Sequence, residues 1–286
     1  MNMHHLIIGY GYCGYHLALQ LLQQGEAVTA VSRHRDEQFF LPKLTHQLID
    51  IAQGINWSNQ DTVLYYLAPP LPIGNEDHLL EQFLHHSQLT VRKVIYFGSS
   101  AVYGNQQGQW VDEQTPCPIS HDRQQRRLHA EQQWQRYCQQ ADIDCVLLRV
   151  AGIYGANRLP IAAARQQAPL LKTEHAPWTN LVYVNDLIHS VIQLAKSVAN
   201  GVFNIADGNP QPMGTLQRLT AQRLNLPAAP QQDWQIILEG ASEMKQEFMQ
   251  ANKRLSIDKL RQALGKSMCF TPLEQAIEHI LSRSSV

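Results

Sequence analysis

The sequence predicts an α/β fold whose parallel sheet is covered by helices on both faces. Three observations carry that reading. Short β-rich runs alternate with helical stretches from the first residues onward. The runs are apolar at nearly every position, as in strands buried on both faces, rather than at every second one. A glycine pattern joins the first run to the first helical stretch.

Taken in order, "LIIG" (6–9), "AVTAVS" (27–32), "HQLIDI" (46–51), "TVLYYLA" (62–68), "KVIYFGSS" (93–100) and "CVLLRVAG" (145–152) read as six strands. Segments 13–24, 77–90 and 122–141 carry helical periodicity between them. Further on, "LVYVNDLIHSVIQLA" and "GVFNIA" read as strand, helix and strand. Residues 208–286 are helix-rich, with Pro210, Pro212, Pro227 and Pro230 at expected breaks. No internal repeat or long linker separates the parts. The expected division is a dinucleotide-binding domain over 1–156, completed by 181–207, and a substrate lobe from 157–180 and 208–286.

Composition narrows the classes. With 44% hydrophobic and 16% charged residues, the chain of 286 residues reads as globular with a large core. A net charge of −1 offers no field for nucleic acid or anionic lipid. The 13 histidines show no paired zinc spacing, His85-His86 read as a solvated helix face, and no metal is expected. Cys13, Cys117, Cys138, Cys145 and Cys269 form an odd set without a CxxC, which fits a reducing compartment. The amino terminus lacks a basic stretch and no apolar run approaches the roughly 20 residues of a membrane span, so a cytoplasmic protein away from membranes is expected.

The first strand runs into Gly9-x-Gly11-x-x-Gly14, and a helix follows up to Gly25. In that context Gly9 permits the tight turn, Gly11 lets the backbone approach a pyrophosphate, and Gly14 lets helix pack on strand. Tyr12 and Cys13 lie inside the same loop. The helix end would favour a Cys13 thiolate, with packing as the simpler role. The second strand ends in "AVSRHRDE", placing Ser32, Arg33 and Arg35 where an NAD site carries an acid. Two guanidinium groups there fit a 2′-phosphate, so NADP is expected; Asp36, shifted by a few residues, keeps NAD as the alternative. Asp50 and Ile51 are expected near the adenine, with Ala68 and Pro69 beneath the ribose side.

These pieces, with "SSAVYG", "LRVAGIYG", "LVYVNDL" and "GVFNIADG" in order over most of 1–207, resemble the NAD-dependent epimerase/dehydratase family of extended short-chain dehydrogenases/reductases. The resemblance implies a doubly wound sheet of about seven strands, the Rossmann fold, with a smaller helix-rich carboxy-terminal lobe. It also implies a small polar or nucleotide-linked sugar substrate, and often a homodimer. In the family a Ser before "VYG" bonds the reacting oxygen, which maps onto Ser99. A Tyr and a Lys four residues later handle the proton. Anchored on Glu131, those two positions hold Arg123 and Arg127, so the chain resembles an atypical branch lacking the pair.

Arg123, Arg127, Ala130, Trp134, Cys138 and Ala141 share one helix face, which directs both arginines toward the cleft. Arginine stays protonated and cannot replace the tyrosine as an acid or base, but it can clamp a carboxylate or stabilise an oxyanion beside Ser99. The bland alternative places both at a solvated helix start. Tyr103, Tyr154, Tyr183 and His121 are the replacement proton donors, with packing favoured for Tyr103 and Tyr154. Two functions stay open: an NADP-binding oxidoreductase with an altered proton relay, and a non-catalytic NADP-binding regulatory module.

Overall fold

The computed structural model describes residues 3–265, 268 and 270–283; Cys269 lies outside them. Seven strands form one sheet: β1 (His4–Ile8), β2 (Ala27–Ser32), β3 (Thr45–Leu48), β4 (Thr62–Tyr66), β5 (Lys93–Phe97), β6 (Asp144–Val150) and β7 (Gly201–Ile205). Their order is β7-β6-β5-β4-β1-β2-β3, and every pairing is parallel. The order reverses between β1 and β4, whose registers with the neighbours start at His4 opposite Ala27 and Thr62. A doubly wound sheet opens a crevice at the carboxyl ends of its strands at such a reversal.

Alternation along the strands sends neighbouring side chains to opposite faces. Ile7 packs with Leu17 and Leu21 of α1 (Tyr12–Gln23) and with α4 (Val184–Lys196). Leu6 and Ile8 pack on the other face with Phe83 of α2 (His78–His86) and Trp134 of α3 (Asp122–Ala141). The nearly continuous apolar runs follow from this two-sided burial. A buried pair between Glu131 and Arg149, 2.8 Å apart, ties α3 to β6. The carboxy-terminal residues add α5 (Thr215–Arg223), α6 (Glu243–Gln250), α7 (Asp258–Leu264) and α8 (Leu273–Arg283).

Four predicted elements end earlier than their apolar runs suggest. β3 stops at Leu48 because Asp50 turns to accept from the Ala52 N–H (3.1 Å) and opens a short 3-10 turn. β4 stops at Tyr66, after which the Leu67 N–H donates to the Ile8 carbonyl at 2.7 Å. β5 stops at Phe97, and Ser99 caps a 3-10 turn over Ser100–Tyr103. The helix expected to reach residue 90 ends at His86; Gln88–Thr90 instead pair with Asn56–Ser58. The run 145–152 also divides, since Gly152–Tyr154 leave the main sheet to pair with Leu181–Tyr183.

Candidate active site and cofactor cleft

The phosphate loop fits a dinucleotide by its geometry. Gly9 has φ +91, and a Cβ there would stand 2.5 Å from the Ala68 nitrogen, so β1 and the residues after β4 touch only because Gly9 has no side chain. Gly14 packs tightly as well, with Tyr10 and Ile7 at 3.3 and 3.4 Å from an added Cβ. Gly11 is different: nothing lies within 4 Å of its added Cβ. It is the N-cap of α1, and no side chain caps that helix end. A helix start with unclaimed N–H groups beneath open space suits a pyrophosphate.

A cavity of about 530 Å³ opens beside this loop. Gly9, Gly11, Ser32, Arg33, Ile51, Ala68 and Pro69 all line it, so seven of the expected cofactor residues come together there. Arg35 and Asp50 do not line it, and the Asp50 carboxylate is engaged with Ala52. Ser32 is tied locally, its hydroxyl donating to the His34 carbonyl at 2.7 Å. Asp36, the alternative acid, caps a turn of its own and accepts from the Gln38 N–H at 3.1 Å. Tyr12 points away from the cavity toward Gly155, and the Arg158 guanidinium lies 4.0 Å over its ring. The expectation of a thiolate at Cys13 is corrected: burial pushes its thiol up to about 11, against the opposing pull of Arg158. Cys13 packs against the core.

Ser99 lines a second, smaller cavity of about 130 Å³ beyond the end of β5, between the sheet and α6. The Ala101 N–H donates to its Oγ at 3.2 Å, which leaves the hydroxyl hydrogen to bond a guest oxygen. Arg123 lines the same cavity, as its helix face predicted. It is not a free cation, because Glu247 of α6 accepts from its Nε at 3.0 Å and its Nη2 at 3.2 Å. Arg127 lies outside this cavity and directs Nη1 toward the Phe97 carbonyl at 3.5 Å.

None of the replacement donors considered from sequence lines the Ser99 cavity. Tyr103 donates to Asn204 at 2.8 Å, and burial holds its phenol at about 12. Tyr154 is buried against Tyr183, its rings 5.7 Å apart, and its acidity is pushed far down by burial. Tyr183 bonds His279 and Asn185. His121 is an exposed N-cap of α3.

A residue that sequence reasoning missed stands in the cavity instead. Lys253 lines it and is only 4% exposed. The chain reaches it through a two-residue bridge, Arg254–Leu255 pairing with Trp110–Val111. The N–H groups of Gln106 and Gly108 both donate to the Asn252 carbonyl at 3.0 Å, and Asn180 donates to the Lys253 carbonyl at 2.9 Å. The loop that follows Ser99 thus fixes the lysine backbone. A neighbouring apolar cavity of about 300 Å³ shares Thr179, Met213 and Phe248 with the Ser99 cavity and has Leu216, Ile237 and Met249 in its wall.

The seven-stranded parallel sheet and the reversal in its strand order define an α/β protein of the Rossmann class. Residues 72–206 match the model of the NAD dependent epimerase/dehydratase family. No curated protein matches the chain. Among solved structures, it is similar to a functionally unknown conserved protein from Silicibacter pomeroyi, at 24% identity with all of both chains covered and a TM-score of 0.81. It is also similar to a UDP-galactose 4-epimerase, at 17% identity over 99% of each chain, TM-score 0.75. An NAD-dependent NDP-hexosamine 5,6-dehydratase of tunicamycin biosynthesis shares 17% identity over 99% of this chain and 98% of that one, TM-score 0.76. At these identities the likeness speaks for the fold. Among the described residues, no group of His, Cys, Asp or Glu is placed to hold a metal, and no helix is long and apolar enough to cross a membrane.

Proposed function

We propose that this chain is an NADP-dependent oxidoreductase of the epimerase/dehydratase type that acts on a small carbonyl or hydroxyl compound. The observation that carries the reading is the pairing of an open Gly11 cradle with a donor hydroxyl, Ser99, at the same edge of the sheet. When bound, the dinucleotide would supply or accept hydride. Gly11 and the start of α1 would hold its pyrophosphate, and Ile51, Ala68 and Pro69 its adenosine side. Ser99 would orient the substrate oxygen and donate to the charge that develops on it.

Arg33 supports NADP over NAD. It faces the cavity, and neither it nor Arg35 forms an ion pair among the described residues, while Asp36 is engaged in its own turn. Arg123 acts here through Glu247 as a partner that holds α6 across the cavity, rather than as a clamp for substrate. Four free cysteines among the described residues support a reducing, cytoplasmic setting.

UDP-glucose appears with a structural neighbour, a Thermotoga maritima UDP-glucose 4-epimerase with a TM-score of 0.71, so a nucleotide-linked sugar is the second reading. The apolar wall beyond Ser99, with Leu216, Ile237 and Met249 in it, favours a substrate with an apolar portion. Single-turnover oxidation of bound NADPH by small aldehydes and ketones tests the reading. Turnover that falls in Ser99→Ala supports it. Binding of NADPH without oxidation by any carbonyl supports the regulatory module instead.

A further inference from the structure

Among the described residues two lysines are buried, Lys93 and Lys253, and they are treated differently. Lys93 donates to three carbonyls, those of Leu194 (3.3 Å), Ser197 (2.6 Å) and Ala199 (3.2 Å), which satisfy its ammonium. Lys253 has one protein acceptor, the Gly104 carbonyl at 3.3 Å, and no ion pair among the described residues. Two donor positions on its nitrogen are left without a protein acceptor among the described residues, and the residue lines the Ser99 cavity. A buried ammonium with so little compensation is costly unless a ligand or a proton change relieves it.

We propose that the Lys253 amine exchanges the proton with the substrate oxygen in the Ser99 cavity, in the role the family gives to the tyrosine that Arg123 replaces. The inference rests on the oxidoreductase reading above. In reduction, one N–H bond of the ammonium breaks and its proton forms the O–H bond of the product alcohol. The carbonyl carbon meanwhile gains a hydride from a reduced nicotinamide dinucleotide, which is oxidised. The neutral amine regains a proton from water. In oxidation the neutral amine takes the hydroxyl proton as the carbon passes its hydride to an oxidised nicotinamide dinucleotide, which is reduced.

The surroundings suit that role. Burial is the main force holding Lys253 down to about 8; Arg123 on α3 adds to it and Glu247 on α6 opposes it. The other polar groups near it, Ser99, Asn180 and the Gly104 carbonyl, are neutral. A group whose acidity lies near the working pH can both give and take a proton, which arginine at position 123 cannot.

Two measurements test this on the full chain. The first is an NMR titration of the lysine side chains, with Lys253 assigned by its loss in Lys253→Met. A midpoint near 8 that rises in Arg123→Gln is expected; the ordinary value of about 10.4 overturns the inference. The second is single-turnover oxidation of bound NADPH by small aldehydes and ketones across pH. The rate should fall above about pH 8 in the wild-type protein. It should drop roughly 100-fold or more in Lys253→Met and in Lys253→Arg, with NADPH affinity kept within about twofold. Lys253→Arg retains a donor for Gly104 and so guards against loss of the fold. Ser99→Ala should slow the reaction and leave the pH limb in place. Wild-type rates or an unchanged limb in either lysine variant overturn the inference. A wild-type protein that binds no NADPH, or whose bound NADPH no carbonyl oxidises, contradicts the functional reading itself, which separates the two failures.

Discussion

Glu247 grips Arg123 with both oxygens, at 3.0 and 3.2 Å, and so joins the start of α3 to α6 across the mouth of the Ser99 cavity. The same carboxylate accepts from Gln124 at 3.3 Å. Arg123 is therefore committed to the protein. Its charge shapes the cavity through Lys253 and through the placement of α6.

A double-mutant cycle on Arg123→Ala and Glu247→Ala should give a coupling of about 1 kcal/mol, since the Arg123 side chain is 39% exposed and solvent screens the pair. Hydrogen exchange over Glu243–Gln250 should accelerate in either single variant. Additive effects, with exchange in α6 unchanged, would show that the pair does not hold the helix.

The two loop glycines should separate stability from binding. Gly9→Ala meets the Ala68 backbone at 2.5 Å and demands a strained φ of +91, so it should destabilise the fold by about 3 kcal/mol or more in urea unfolding. Gly11→Ala meets nothing within 4 Å and should leave stability within about 0.5 kcal/mol. It should nevertheless weaken NADPH binding at least about tenfold, because the methyl occupies the cradle. Equal stability losses in both variants would contradict this division.

Cofactor preference should sit on Arg33. A charge-assisted bond to the 2′-phosphate is worth about 1.5–3 kcal/mol, so Arg33→Ala should cut NADPH affinity roughly tenfold or more and leave NADH affinity nearly unchanged. Calorimetric titration of both dinucleotides into both proteins checks it. Parallel losses for the two would assign Arg33 to the loop's structure instead.

His5 gives the fold an acid sensitivity. It is fully buried on β1, 2.8 Å from the Tyr65 hydroxyl, and burial lowers it from 6.5 to about 4. Between those values the unfolded chain binds more protons than the folded one, so stability is lost as pH falls. The slope should be about 1.4 kcal/mol per pH unit, with the full contribution present above pH 6.5. Asp207, raised by burial to about 6, acts in the opposite sense, so the test is the difference between wild type and His5→Gln. A difference curve that is flat from pH 7 to 4 would show that His5 does not titrate in this way.

The sheet was legible because both of its faces are buried, which writes strands as unbroken apolar runs. Helix α3 follows its predicted span, Asp122–Ala141, because its periodicity and its Ala, Gln and Arg content agree. Strand ends were less legible. Whether "GSS" continues β5 or turns depends on Gly98, whose added Cβ would lie 2.6 Å from the Leu148 carbonyl, a contact no local pattern records. Cys13 misled for a related reason: a helix start favours a thiolate, but the packing around this one removes water. Lys253 was hidden most completely. Its run, "ANKRLSIDKLRQALG", matches the family only loosely, and it lines the Ser99 cavity next to the pairing of Arg254–Leu255 with Trp110–Val111, a contact between distant parts of the chain.

A crystal structure with NADP bound tests the central claim most directly. The account predicts the pyrophosphate over Gly11 at the start of α1, the 2′-phosphate at Arg33, and the nicotinamide C4 facing the cavity that Ser99 and Lys253 line. A dinucleotide seated elsewhere, or a nicotinamide whose C4 is walled off from Ser99, would contradict it.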